Sequence, residues 1–102
     1  MAALSPGVDG GGRARTGQAP GVLEEDLDGE VLLLAPGSVD ALHLDAVAST
    51  VWRILAERPT FDELVETLST AYGVSVSVIA GDVRPVLELL EAHGAAVRCI
   101  DT

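Results

Sequence analysis

The sequence predicts an α+β domain, a three-stranded antiparallel sheet followed by three helices in a winged-helix-like arrangement. Two patterns predict it. Between Val22 and Leu44, short apolar stretches are separated by Asp28-Gly29 and Pro36-Gly37, the turn dipeptides of a β-meander. From Asp45 onward, apolar residues recur every three or four positions in segments bounded by helix-capping residues.

The first element follows a segment without structure-forming signals. Residues 1–21 are rich in Gly, Pro, Ala and polar residues and show no period, so a disordered N-terminal tail is expected, with the folded domain spanning 22–102. Asp28-Gly29 favours a type I′ turn, which pairs Val22–Leu27 with Glu30–Ala35. Pro36-Gly37 suits a type II turn and leads to a third strand over Val39–Leu44. In that strand His43 alternates with Leu42 and Leu44 and faces the other side of the sheet.

Asp45 can cap the first helix, which runs to about Glu57 with Val47, Val51, Ile54 and Leu55 on one face. Thr60 and Glu63 form a capping box for the second helix. Phe61, Leu64, Val65, Leu68 and Tyr72 follow helical spacing, and Gly73 ends it. The third helix ends at Gly94 and contains Pro85. An interior proline costs about 3 kcal/mol, whereas one in the first turn is tolerated. Two readings follow: a helix that starts at Asp82 after a break near Gly81, which is favoured, or one that starts near Ser75 or Ser77 and kinks. "AAVRCI" closes the chain as a short extended tail.

Composition narrows the function classes. All six cationic residues are Arg, scattered among sixteen carboxylates, and the formal net charge is −10. Such a surface repels a phosphate backbone, which argues against nucleic acid, and the third helix sets Asp82, Glu88 and Glu91 against Arg84 where a DNA-reading helix would be basic. The apolar runs are too short to span a membrane, and no signal-peptide pattern opens the chain. A single cysteine, Cys99, rules out an internal disulfide and fits a reducing cytoplasm.

No catalytic constellation emerges. His43, His93 and Cys99 lack the spacing of a metal site, His93 reads as a favourable cation at a helix C-terminus, and no cofactor is expected. The carboxylates of "LEEDLDGE" and "FDELVE" read as solvated edges and a helix first turn, and "VDGGGR" lacks the strand and helix of a phosphate loop. "PGSVDAL" before a helix is similar to the serine segment of an acyl or peptidyl carrier protein. Gly37 rather than Asp precedes Ser38, however, and no long first helix lies upstream.

The stretch "HLDAVASTVWRILAERPTFDELVETLSTAYGV", followed by "GDVRPVLELLEAHG", resembles the PqqD-like family, also called RiPP recognition elements. The likeness rests on the order and spacing of its parts: the Leu44–Ala48 entry into a helix, "VWRIL", "FDELVETL", "YGV", and an Asp-Val…Leu-x-x-Leu helix. It covers roughly residues 23–97, and Pro85 departs from the pattern. The resemblance implies a non-catalytic peptide chaperone of natural-product biosynthesis. Such a protein binds the leader segment of a ribosomally made precursor peptide and presents it to a peptide-modifying enzyme or protease. It further implies that the leader adds as a strand to the third strand and packs against the third helix.

On this sequence the implied contacts are the backbone of Val39, Asp40, Ala41, Leu42 and His43, an apolar wall of Val83, Val86, Leu87 and Leu90, and a polar rim of Asp40, Arg84 and Glu91. An exposed edge strand offers unpaired N–H and C=O groups to an extended peptide, and this chemistry needs no catalytic side chain. Along the third helix Leu87 and Leu89 sit at opposite margins of the apolar arc, and either margin could face the strand. Leu87→Glu is expected to abolish binding without unfolding the domain.

Overall fold

The structure, a computed structural model, describes residues 14–100. Five strands and three helices follow in the order β1 (Ala14–Gln18), β2 (Leu23–Leu27), β3 (Glu30–Leu34), β4 (Leu42–Leu44), α1 (Ala46–Ile54), α2 (Phe61–Tyr72), α3 (Val76–Ala92) and β5 (Ala96–Ile100), with a 3-10 turn over Leu55–Glu57 after α1. The strands form two antiparallel sheets, β2-β3-β4 and β1-β5.

The meander is present. Asp28 and Gly29 both have positive φ, as a type I′ turn requires, and the Asp26 carboxylate accepts the Gly29 N–H at 2.9 Å. Gly37 has φ 82°, and Ser38 N–H donates to Ala35 C=O, closing the turn at Pro36-Gly37. The third strand, however, is Leu42–Leu44 and not Val39–Leu44. The turn itself explains the shortening. Continued pairing would set Asp40 opposite Ala35, whose carbonyl already accepts the Ser38 N–H. Val39 and Asp40 form a bend, and the Val39 side chain is 93% exposed.

Asp45 caps α1 by accepting Ala48 N–H at 2.8 Å. The buried face of α1 is Ala48, Ser49, Val51 and Trp52, continued by Leu55, while Val47 is exposed and Ile54 half-buried. The capping box of α2 is complete: Thr60 N–H donates to Glu63 Oε1 at 2.9 Å and Glu63 N–H to Thr60 Oγ1 at 3.1 Å. Leu64, Val65 and Leu68 enter the core, and Tyr72 is exposed. Gly73, with φ 65°, ends the helix.

α3 is one helix capped by Ser75, so the break near Gly81 is not found. The cost of Pro85 is contained by its position. Its missing N–H would have met the carbonyl of Gly81, and both residues lie on the exposed side, where water can take that carbonyl.

The expected tail is structured in part. Residues 1–13 lie outside the described residues, but Ala14–Gln18 form β1 and pair with β5, from Ala14 opposite Ile100 to Gln18 opposite Ala96. The chain end is therefore the partner of a strand and not a lone extended segment. β1 is held by polar contacts. Thr16 N–H donates to Pro59 C=O at 3.0 Å, Gln18 Nε2 to Trp52 C=O at 2.9 Å, and Arg15 to Arg58 C=O at 3.0 Å and to the Glu63 carboxylate at 3.3 Å. Gly17 permits this close seating, because a Cβ there would stand 3.1 Å from the Arg58 side chain.

One apolar core joins the parts. Val31 and Leu33 of β3, Leu44 of β4, Trp52 of α1, Leu64 and Leu68 of α2, and Val83 and Leu90 of α3 are all buried in it. Trp52 supplies the largest buried side chain, and its indole N–H donates to Glu24 at 3.0 Å.

Candidate functional site

β4 is an edge strand, with β3 on one side and no strand on the other among the described residues. The outward-pointing backbone groups follow from the hairpin. A two-residue loop closes on a pair that exchanges hydrogen bonds, here Leu27 and Glu30. Alternation along β3 then turns Glu30, Leu32 and Leu34 toward β2, and Val31 and Leu33 toward β4. The partners of Val31 and Leu33 are Leu44 and Leu42, so these two face β3 and the N–H and C=O of His43 face the open edge.

The His43 side chain is exposed on the outer face, as its alternation with the two leucines predicts, and Nε2 stands 2.8 Å from the Glu30 carboxylate. Leu44 is buried, and Leu42 is half-buried against the core. The edge is fixed from below by Ser49. Its hydroxyl accepts Val31 N–H at 2.8 Å and donates to Leu44 C=O at 3.1 Å, bridging the last pair of the β3–β4 ladder.

α3 packs on the same core. Its C-terminal end lies against the end of β3, since a Cβ at Gly94 would stand 3.9 Å from that of Ala35. Val83, Leu87 and Leu90 point into the core, with Leu87 only 5% exposed, and Val86 is half-buried. One margin of the helix is occupied. Arg84 lies over the Phe61 ring of α2 at 4.7 Å, and Glu91 pairs with Arg98 of β5 at 3.2 Å. The opposite margin, carrying Val78, Asp82, Val86 and Leu89 at helical spacing, has no such partner among the described residues, and Leu89 is 39% exposed there.

The sequence-derived contacts are thus brought together only in part. Leu42 and His43 lie on the edge strand, and Val86 lies half-buried on the open margin of α3. Val39 and Asp40 stand in the bend before the strand, and Ala41 directly precedes it. Arg84 and Glu91 serve the other side of α3. Sequence reasoning missed Val78 and Asp82 as members of the open margin, although helical periodicity places them with Val86 once the helix is known to begin at Val76.

Among the described residues no group of three His, Cys, Asp or Glu side chains could hold a metal ion, and no helix is long and apolar enough to cross a membrane. Cys99 is exposed on β5.

The comparison with curated proteins gave no match. Among solved structures the chain is similar to TbiB1 in complex with the TbiA(beta) leader peptide. The two share 28% identity at a TM-score of 0.71, over 78% of this chain and 93% of TbiB1. The family model described as coenzyme PQQ synthesis protein D (PqqD) matches residues 30–95, from the first residue of β3 to the turn after α3. With well over half its length matched, the chain belongs to the PqqD family.

Proposed function

We propose that this chain is a non-catalytic recognition element in the cytoplasm. It binds the leader segment of a ribosomally synthesised precursor peptide and presents it to a peptide-modifying enzyme. The observation that carries this reading is the likeness to TbiB1, solved with a leader peptide bound, combined with the open edge at β4. An extended peptide aligned with β4 satisfies the outward N–H and C=O of His43 and adds a fourth strand to the sheet. Its apolar side chains pack between Leu42 and the open margin of α3, chiefly Val86 and Leu89. Asp82 stands at the rim as a partner for a cationic leader residue. Backbone pairing supplies affinity and the apolar wall supplies selectivity, so the site needs neither a nucleophile nor a metal.

Fluorescence anisotropy with a labelled leader peptide from the cognate precursor tests the reading, with the core half of that precursor as control. Saturable binding of the leader at micromolar concentration or tighter, absent for the core half, is expected. No leader binding by the folded protein, alone and with the modifying enzyme added, would overturn it.

A further inference from the structure

The outer face of the three-stranded sheet is a second surface, turned away from α1 and the core. The β2–β3 register places Leu23, Leu27, Leu32 and Leu34 on this face, with Glu25 among them. The inner face is turned to α1, where Glu24 receives the Trp52 N–H and Asp26 the Arg53 guanidinium at 2.8 Å. Nothing covers the outer face among the described residues: Leu23 is 66% exposed and Leu27 47%. A hollow of ≈ 230 Å³ opens there between Leu23, Glu25, Leu32, Leu34 and Ala41. An apolar cluster left open on a small domain marks an interaction surface.

Charge decides what fits it. The other carboxylates of the hairpin strands have partners: Glu24 and Asp26 on the inner face, and Glu30 with His43. Glu25, in the middle of the leucines, makes no ion pair or hydrogen bond among the described residues. A second copy packed symmetrically on this face would bring two such carboxylates together in a desolvated interface, on chains that each carry a net charge of −10. A partner that sets a Lys or Arg on Glu25 and aliphatic side chains on the leucines meets both demands.

We propose that this face docks the peptide-modifying enzyme, through a segment in which a basic residue is flanked by aliphatic ones. The inference rests on the leader-binding reading for the identity of the partner. Ala41 lines the hollow and directly precedes the edge strand, so the docked enzyme sits beside the bound leader. The leader then occupies the edge and α3, while the enzyme occupies the sheet face, and the two contacts do not compete.

The test titrates the full chain separately with its cognate peptide-modifying enzyme and with the labelled leader. Wild type is compared with Glu25→Arg, with the double variant Leu23→Ser/Leu27→Ser, and with Glu66→Arg, an exposed charge reversal on α2. Both variants of the face are expected to weaken enzyme binding at least tenfold and leave leader affinity unchanged, with Glu66→Arg neutral in both titrations. Enzyme affinity unchanged in the two face variants would overturn the proposal. So would sedimentation showing a wild-type dimer that the leucine double variant dissolves, because the face would then belong to a second copy. If leader binding is absent in wild type while the face variants still weaken enzyme binding, the docking surface stands and the leader reading falls.

Discussion

The Ser49 hydroxyl accepts the Val31 N–H at 2.8 Å and is completely buried, so a side chain of α1 completes the hydrogen bonding of a sheet strand. The same oxygen donates to Leu44 C=O, so one hydroxyl holds β3, β4 and α1 together beneath the candidate site. Ser49→Ala removes a partner from two buried backbone groups, at a cost of about 1–3 kcal/mol. For a domain of this size each kcal/mol lowers Tm by roughly 4–8 °C. Thermal unfolding followed by circular dichroism is therefore expected to shift down by at least about 4 °C, with weaker leader binding at the loosened edge. A Tm within error of wild type would mean that Val31 and Leu44 close directly on each other once the hydroxyl is gone.

His43 offers a test of backbone pairing that side-chain substitutions cannot give. Its N–H faces the open edge, so His43→Pro removes a donor from the peptide-binding side and leaves the Leu42 and Leu44 bonds to β3 in place. Proline is tolerated at such edge positions. Leader affinity is expected to fall at least tenfold, equivalent to about 1.4 kcal/mol. His43→Ala, which loses the contact with Glu30 but keeps the N–H, should stay within about threefold of wild type, since an exposed contact of this kind is worth about 0–1 kcal/mol. Equal losses in the two variants would assign the effect to the imidazole.

Leu87 and Leu89 of α3 separate folding from binding. Leu87 is 5% exposed and belongs to the core, so Leu87→Glu buries a carboxylate without a partner and is expected to unfold the domain. It cannot serve as a binding-only substitution. Leu89 is 39% exposed on the open margin, so Leu89→Glu should leave the circular dichroism spectrum and urea midpoint near wild type while weakening the leader at least tenfold. Retained leader affinity in a folded Leu89→Glu protein would move the apolar wall elsewhere.

These leucines also show how far the sequence reaches. Helical spacing puts Val83, Val86, Leu87, Leu89 and Leu90 on one arc, and three of them are core. Periodicity identifies the arc but not which residues at its margins stay open, because that depends on where Phe61 and Arg98 meet the helix. The hairpin turn and the caps of α1 and α2 were legible because each rests on one or two residues acting locally: Asp28-Gly29, Asp45, and Thr60 with Glu63. β1 was not, because "ARTGQ" lacks apolar alternation. Its strand is held by pairing with Ala96–Ile100, far along the chain, and by polar contacts to Pro59 and Trp52. The length of β4 was hidden for a similar reason, since the Ser38–Ala35 turn bond that ends it competes with strand pairing.

Acid should weaken both the hairpin turn and the capping box of α2. The Asp26 carboxyl is held below the ordinary carboxylate range, chiefly by the Gly29 N–H of the turn and further by Arg53. Glu63 is lowered in the same sense, first by the Thr60 N–H and then by Arg15. Each therefore binds its proton less readily folded than unfolded. Its contribution is fully present above the unfolded-state pKa and fades as pH falls through the folded-state value. Urea midpoints are expected to be level from pH 7 down to about 5 and to drop below about 4.5, the unfolded range of these groups. Asp26→Asn should lower the midpoint at pH 7 and flatten the acid limb, so that the variant and wild type converge as pH falls through the folded-state value. A constant offset between the two proteins across that range would show that the hairpin bond is indifferent to the charge on Asp26.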